Sequence, residues 1–90
     1  MSLKIAVPAS IQPIEDQFVV ERRNTSFICN ASGNPQPTVF WINVASGQRT
    51  NSSVLKFTNV NRNEAGEYRC EASNDCGSAV EAVNVTVQCK

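Results

Sequence analysis

Four cysteines and the absence of any histidine bound the chemistry open to this 90-residue chain. Without an imidazole there is no Ser-His or Cys-His nucleophile pair, no His-containing zinc site and no ordinary near-neutral protonation switch. Cys29, Cys70, Cys76 and Cys89 include no Cys-x-x-Cys pair of the kind that ligates zinc. Glu15-Asp16 and Asn74-Asp75 offer oxygens, yet neither belongs to a calcium loop with ligands at alternate positions, so no metal is expected. A Gly-rich phosphate loop is also missing, no cofactor is implied, and catalysis is not expected. Disulfide formation is the chemistry left to the cysteines.

The asparagines offer a second kind. Asn24-Thr25-Ser26, Asn30-Ala31-Ser32, Asn51-Ser52-Ser53 and Asn84-Val85-Thr86 are all acceptor triplets for N-glycosylation, none with a central proline. Asn30 is opposite in phase to Cys29, and Asn84 lies between Val83 and Val85, so both are expected to face solvent. Cysteines and sequons together point to a secreted or cell-surface protein. Eight basic side chains balance eight acidic ones, which gives no field to favour nucleic acid. No stretch approaches the ~20 apolar residues of a membrane span, so no direct membrane insertion is expected.

Positioning these groups falls to short strands. Apolar residues recur at a spacing of two, with turn residues every eight to twelve positions, and no segment has helical spacing. Phe18 to Val20 precede the Glu21-Arg22-Arg23-Asn24 turn, and Thr25, Phe27, Cys29 and Ala31 then alternate with Ser26, Ile28 and Asn30. The Gly33-Asn34-Pro35-Gln36-Pro37 stretch is a loop, since proline supplies no backbone donor. Further strands are expected at Val39 to Asn43, Val54 to Thr58, Tyr68 to Ala72 and about Ala79 to Gln88. About seven strands, each with one apolar face, are best buried as two packed antiparallel sheets. At 90 residues the chain holds one domain.

Cys29 and Cys70 fall on inward-facing positions of strands in opposite sheets, so a disulfide can join the sheets through the core. Trp41, twelve residues after Cys29, would pack against that bond. Tyr68, two before Cys70, stands where its hydroxyl can bond back to the crossing loop around Glu64. These residues, with the Gly33–Pro37 loop, Leu55, Phe57, Val60, Gly66-Glu67-Tyr68-Arg69-Cys70 and Ala72-Ser73-Asn74 before Gly77, resemble an immunoglobulin-superfamily domain of the I-set or C2-set kind. The resemblance implies an all-β sandwich with an A-B-E sheet against G-F-C and room for a C′ strand. Thirteen residues between Trp41 and Leu55 leave no space for C″ and a full D strand. Glu64 stands where the family usually has Asp, with Arg49 as the expected ion-pair partner. Asn24 stands where the family has Gly, and is expected to take any left-handed position there.

Residues 7–88 are read as the domain, 1–6 as linker or added residues, and 89–90 as the start of a linker in a domain excised from a longer chain. Cys76 and Cys89 flank a strand of about 36 Å, too long for them to pair. Cys76 is open to three readings: a tolerated surface residue, a free thiol, or an interchain disulfide, which is the less favoured. Cys89 is either a buried strand-end thiol or a link to an adjoining domain. If Val39 and Trp41 point inward, Phe40 and Ile42 point outward beside Glu67, Arg69 and Glu71. Phe40, Ile42 and Arg69 are therefore the candidate protein contact, unless the Val44–Arg49 segment or a glycan on Asn84 covers them. The resemblance implies a non-catalytic module of an adhesion molecule or receptor ectodomain, binding another protein or spacing neighbouring Ig-like domains. The alternative it leaves is an intracellular module of a muscle or cytoskeletal filament.

Overall fold

The computed structural model describes residues 5–88. Nine strands follow in order: β1 (Val7–Ile11), β2 (Gln17–Val20), β3 (Thr25–Ile28), β4 (Ala31–Asn34), β5 (Thr38–Asn43), β6 (Arg49–Thr50), β7 (Val54–Phe57), β8 (Gly66–Asn74) and β9 (Gly77–Gln88). A single 3-10 turn, Arg62–Glu64, precedes β8, with the Asn61 side chain accepting from the Asn63 N–H at its start.

One layer is a five-stranded sheet in the order β2-β9-β8-β5-β6. Its pairs are antiparallel except β2 and β9, which run parallel with Phe18 opposite Thr86. The other layer consists of the antiparallel pairs β1–β4 and β3–β7. Only Cys29 and Asn30 separate β3 from β4. Across that break the Cys29 N–H donates to Ser53 O at 2.8 Å and Asn30 O accepts from the Gln12 N–H at 3.0 Å. β3 and β4 thus act as one strand shared by two neighbours.

The expected A-B-E against G-F-C arrangement forms, with nine strands in place of about seven. The count rises by two because β3 and β4 are counted apart, and because the first strand divides at Gln12–Asp16, where Pro13 offers no donor, into β1 for one layer and β2 for the other. The C′ strand is present as the two-residue β6.

Alternation places the core. Tyr68, Cys70 and Ala72 are buried along β8, and Val83 and Val85 along β9, while their odd-phase neighbours face out or lie at the margin. Phe27, Leu55, Phe57, Val60 and Val19 meet them from the other elements, around Trp41 at 1% exposure. Phe57 touches Phe27 and Tyr68 edge to face, with ring centroids 5.5 and 5.3 Å away. The Cys29–Cys70 disulfide crosses between the layers with Cα atoms 6.5 Å apart. Trp41 is directly opposite Cys70 in the β5–β8 register, and its Nε1–H donates to Ser53 O at 2.9 Å.

Two sequence expectations are corrected. Among the described residues the non-glycine left-handed positions are Arg22 (φ 71°) and Asn59 (φ 52°), not Asn24. Asn24 instead uses its Oδ1 to accept the Asn59 N–H at 2.9 Å, and backbone bonds from Arg22 N to Val60 O and from Val60 N to Arg23 O brace this turn. Among the described residues Arg49 makes no ion pair with Glu64. Along β6, Thr50 lines the inner side with Glu64, so alternation sends Arg49 to the opposite face.

Candidate protein-contact face and glycosylation sites

β5 and β8 position the outward row. Their register puts Phe40 opposite Glu71 and Ile42 opposite Arg69, and β9 continues these rows with Val80 and Ala82. Phe40 and Ile42 do point away from Trp41, but both are half-buried. Arg49 is the reason: its guanidinium carbon sits 3.9 Å from the Phe40 ring centroid. The segment after β5 therefore covers part of the patch, and adds a planar charge to it. Arg69 Nη2 and Glu67 Oε2 are 3.6 Å apart on the same face. Charges of both signs thus border an apolar centre, with Val80 (51% exposed) and Val44 (40% exposed) at its margin.

The sequence left cover by the Val44–Arg49 segment open; that Arg49 supplies it was not legible, because that contact depends on where β6 folds back onto β5. Val80 and Phe18 carried a usable signal. Each is out of phase with a buried valine on its own strand, and Phe18 reaches 69% exposure.

The four sequon asparagines, Asn24, Asn30, Asn51 and Asn84, are all exposed. Asn84 is the one on the five-stranded sheet, opposite Glu67, and its N–H donates to Asp16 Oδ1 at 3.0 Å. Cys76 is an exposed free thiol in the turn between β8 and β9, and Cys89 lies outside the described residues.

Tyr68 makes the bond expected of it. Its hydroxyl donates to Glu64 O at 2.7 Å, closing the loop that enters β8. Burial first, and the Glu64 charge second, raise its pKa above the usual phenol value. A cleft of about 270 Å³ opens beside it, lined by residues that include Trp41, Asn43, Thr50 and Glu64. Among the described residues no nucleophile and base are paired there.

Residues 8–74 match the family model described as "Immunoglobulin domain". The chain belongs to the immunoglobulin domain family. Domains of this kind are non-catalytic. This immunoglobulin domain is 35% identical over 86 residues to IgLON family member 5 of Homo sapiens, covering 94% of this chain and 26% of that protein. It therefore spans about a quarter of the length of that relative. Its fold is similar to a chain in the crystal structure of Dpr11 IG1 bound to DIP-gamma, with a TM-score of 0.85, 28% identity, and 93% and 49% of the two chains covered. It is also similar to a chain in the complex of titin M10 with an obscurin-like 1 Ig domain, with a TM-score of 0.78, 27% identity, and 93% and 97% covered.

Proposed function

We propose that this domain is an extracellular recognition module of a cell-surface adhesion molecule or receptor, and that it docks another protein through the outer face of β5, β6 and β8. One observation carries this reading: Phe40 and Ile42 form an apolar centre edged by Arg49, Arg69, Glu67 and Glu71 on a sheet face. An apolar centre with a polar rim is how protein contact surfaces are built. The mixed charges favour a partner of complementary pattern, such as a second immunoglobulin sandwich of the same or a different surface molecule. The similarity to a chain crystallised as Dpr11 bound to DIP-gamma supports a partner of that class. The parent would be a larger secreted or membrane-anchored protein. The start of β1 at Val7, after the undescribed first residues and two without strand structure, supports a domain that begins at Val7 and takes in β9 through Gln88.

The test is a binding panel of immunoglobulin ectodomains, this domain itself included, probed with the wild-type protein and with Phe40→Ala and Ile42→Ala. Binding should fall at least about tenfold, equal to about 1.4 kcal/mol, in each variant. Each half-buried side chain should cost folding stability only about 1 kcal/mol, read by melting. Unchanged affinity for a partner that binds the wild type would reject this face.

The likeness to the titin M10 complex favours a second reading, a filament module inside the cell. Native material separates the two: a closed Cys29–Cys70 bond and occupied sequons belong to the exported domain, and reduced, sugar-free protein to the filament.

A further inference from the structure

Phe18 is an exposed aromatic on the outer face of β2, at 69% exposure, and among the described residues neither an aromatic ring nor a cation stacks on it. A large apolar side chain left in water at a sheet edge invites a cover. The parallel register places it directly opposite Thr86, the third residue of the Asn84-Val85-Thr86 sequon. Strand spacing and rise then put Asn84 one diagonal step away, about 8 Å, on the same face. The Asp16 carboxylate fixes that offset by accepting the Asn84 N–H at 3.0 Å as the chain enters β2.

We propose that Asn84 carries an N-linked glycan and that Phe18 is the platform on which its first sugar ring rests. A pyranose has a face of C–H bonds that is apolar despite its hydroxyl rim, and an aromatic ring is a flat surface for that face to cover. The asparagine side chain plus one sugar ring spans the diagonal. On the opposite flank Asn84 faces Glu67, a charged group that offers the sugar no apolar surface. The glycan is thus drawn toward the β2 edge, away from Ile42 and Phe40, which lie two strands over and further along the sheet, at about 12 and 16 Å. The outer face divides into a sugar-covered half and a bare half, so a glycan on Asn84 and a contact surface on β5 coexist. This rests on export from the cell, as the proposed function does, but not on the contact face.

The experiment uses the whole chain secreted from a eukaryotic host. Ser26→Ala, Ser32→Ala and Ser53→Ala remove the other three sequons while retaining the Asn24 side chain that accepts from Asn59. In that background Asn84 and Asn84→Gln are each combined with Phe18 and Phe18→Ala. Peptide mapping should find Asn84 occupied. The glycan should raise the melting temperature by several degrees with Phe18 present and by less than one degree with Phe18→Ala. Sugar protons over the ring should shift upfield in the NMR spectrum only when Phe18 is present. An equal glycan effect with and without Phe18 would overturn the platform. Mapping of the unmodified chain separates the two ways the proposal can fail. A bare Asn84 beside occupied Asn24, Asn30 or Asn51 sinks this proposal alone. Four bare sequons sink it together with the extracellular reading.

Discussion

Tyr68 shows how much one side chain does in a small sandwich. Its ring completes the Phe27–Phe57–Tyr68 cluster, while its hydroxyl satisfies the Glu64 carbonyl at 2.7 Å. Tyr68→Phe keeps the ring and removes the donor, and should cost about 1–2 kcal/mol in denaturant unfolding. The same substitution changes the alkaline limb. Because the folded state holds the phenol's pKa above about 10, the unfolded chain gives up this proton first as pH rises. Stability from this group is complete below pH ~10 and is lost as pH climbs through the raised pKa. The fall in melting temperature above pH ~10 should therefore be shallower in Tyr68→Phe than in the wild type; identical slopes would mean the phenol is not shifted. Tyr68 was legible in sequence because its role needs only its position two before Cys70 and four after Glu64. The Arg22 turn was not legible: which residue goes left-handed follows from the bonds that pin the turn to Val60 and Asn59, far away in the chain.

At the scale of elements, Asn74 joins three pieces that no periodicity connects. Its Nδ2 donates to Val7 O at 2.8 Å and to Pro35 O at 2.9 Å, and its Oδ1 accepts the N–H groups of Cys76 and Gly77. One amide thereby ties β1, the loop between β4 and β5, and the β8–β9 hairpin. Gly33 must stay small for this to happen, because a Cβ there would lie 2.8 Å from Asn74 Nδ2 and 3.2 Å from Val7 O. Asn74→Ala should cost roughly 2–3 kcal/mol, since several backbone groups lose a partner at once. Hydrogen exchange should show faster opening of the Cys76 and Gly77 amides in this variant, with β5 and the middle of β8 unaffected. Uniform protection across the variant would remove Asn74 from this linking role. The sequence marked Asn74 only as an oxygen-bearing residue beside Asp75 and as part of the Ala72-Ser73-Asn74 stretch before Gly77, since its other partners are 39 and 67 residues away.

For the whole molecule, the disulfide sets the margin of stability. A domain of this size buries a limited fraction of its surface, so constraints on the unfolded chain weigh heavily. Cys29 and Cys70 are 41 residues apart, and opening a loop of that length costs about 4 kcal/mol in the chain-entropy model. Replacing both by Ala should lower the melting temperature by on the order of 20 °C, and a loss of only a few degrees would show that packing around Trp41 suffices. The layered plan was readable from the amino-acid order because alternation has a period of two. Given Cys29, Trp41, Tyr68 and Cys70 at their spacings, that period sends the same residues inward in any pairing that buries an apolar face. The outer surface obeys no such rule. Arg49 covering Phe40, and β2 running parallel to β9 with Phe18 beside the Asn84 sequon, arise from how strands lie side by side. Sequence by itself determined which side chains are inside, because burial is a local choice repeated along each strand. Tertiary structure alone decided which exposed groups are neighbours, because their proximity depends on segments distant in the chain and on the register that joins them.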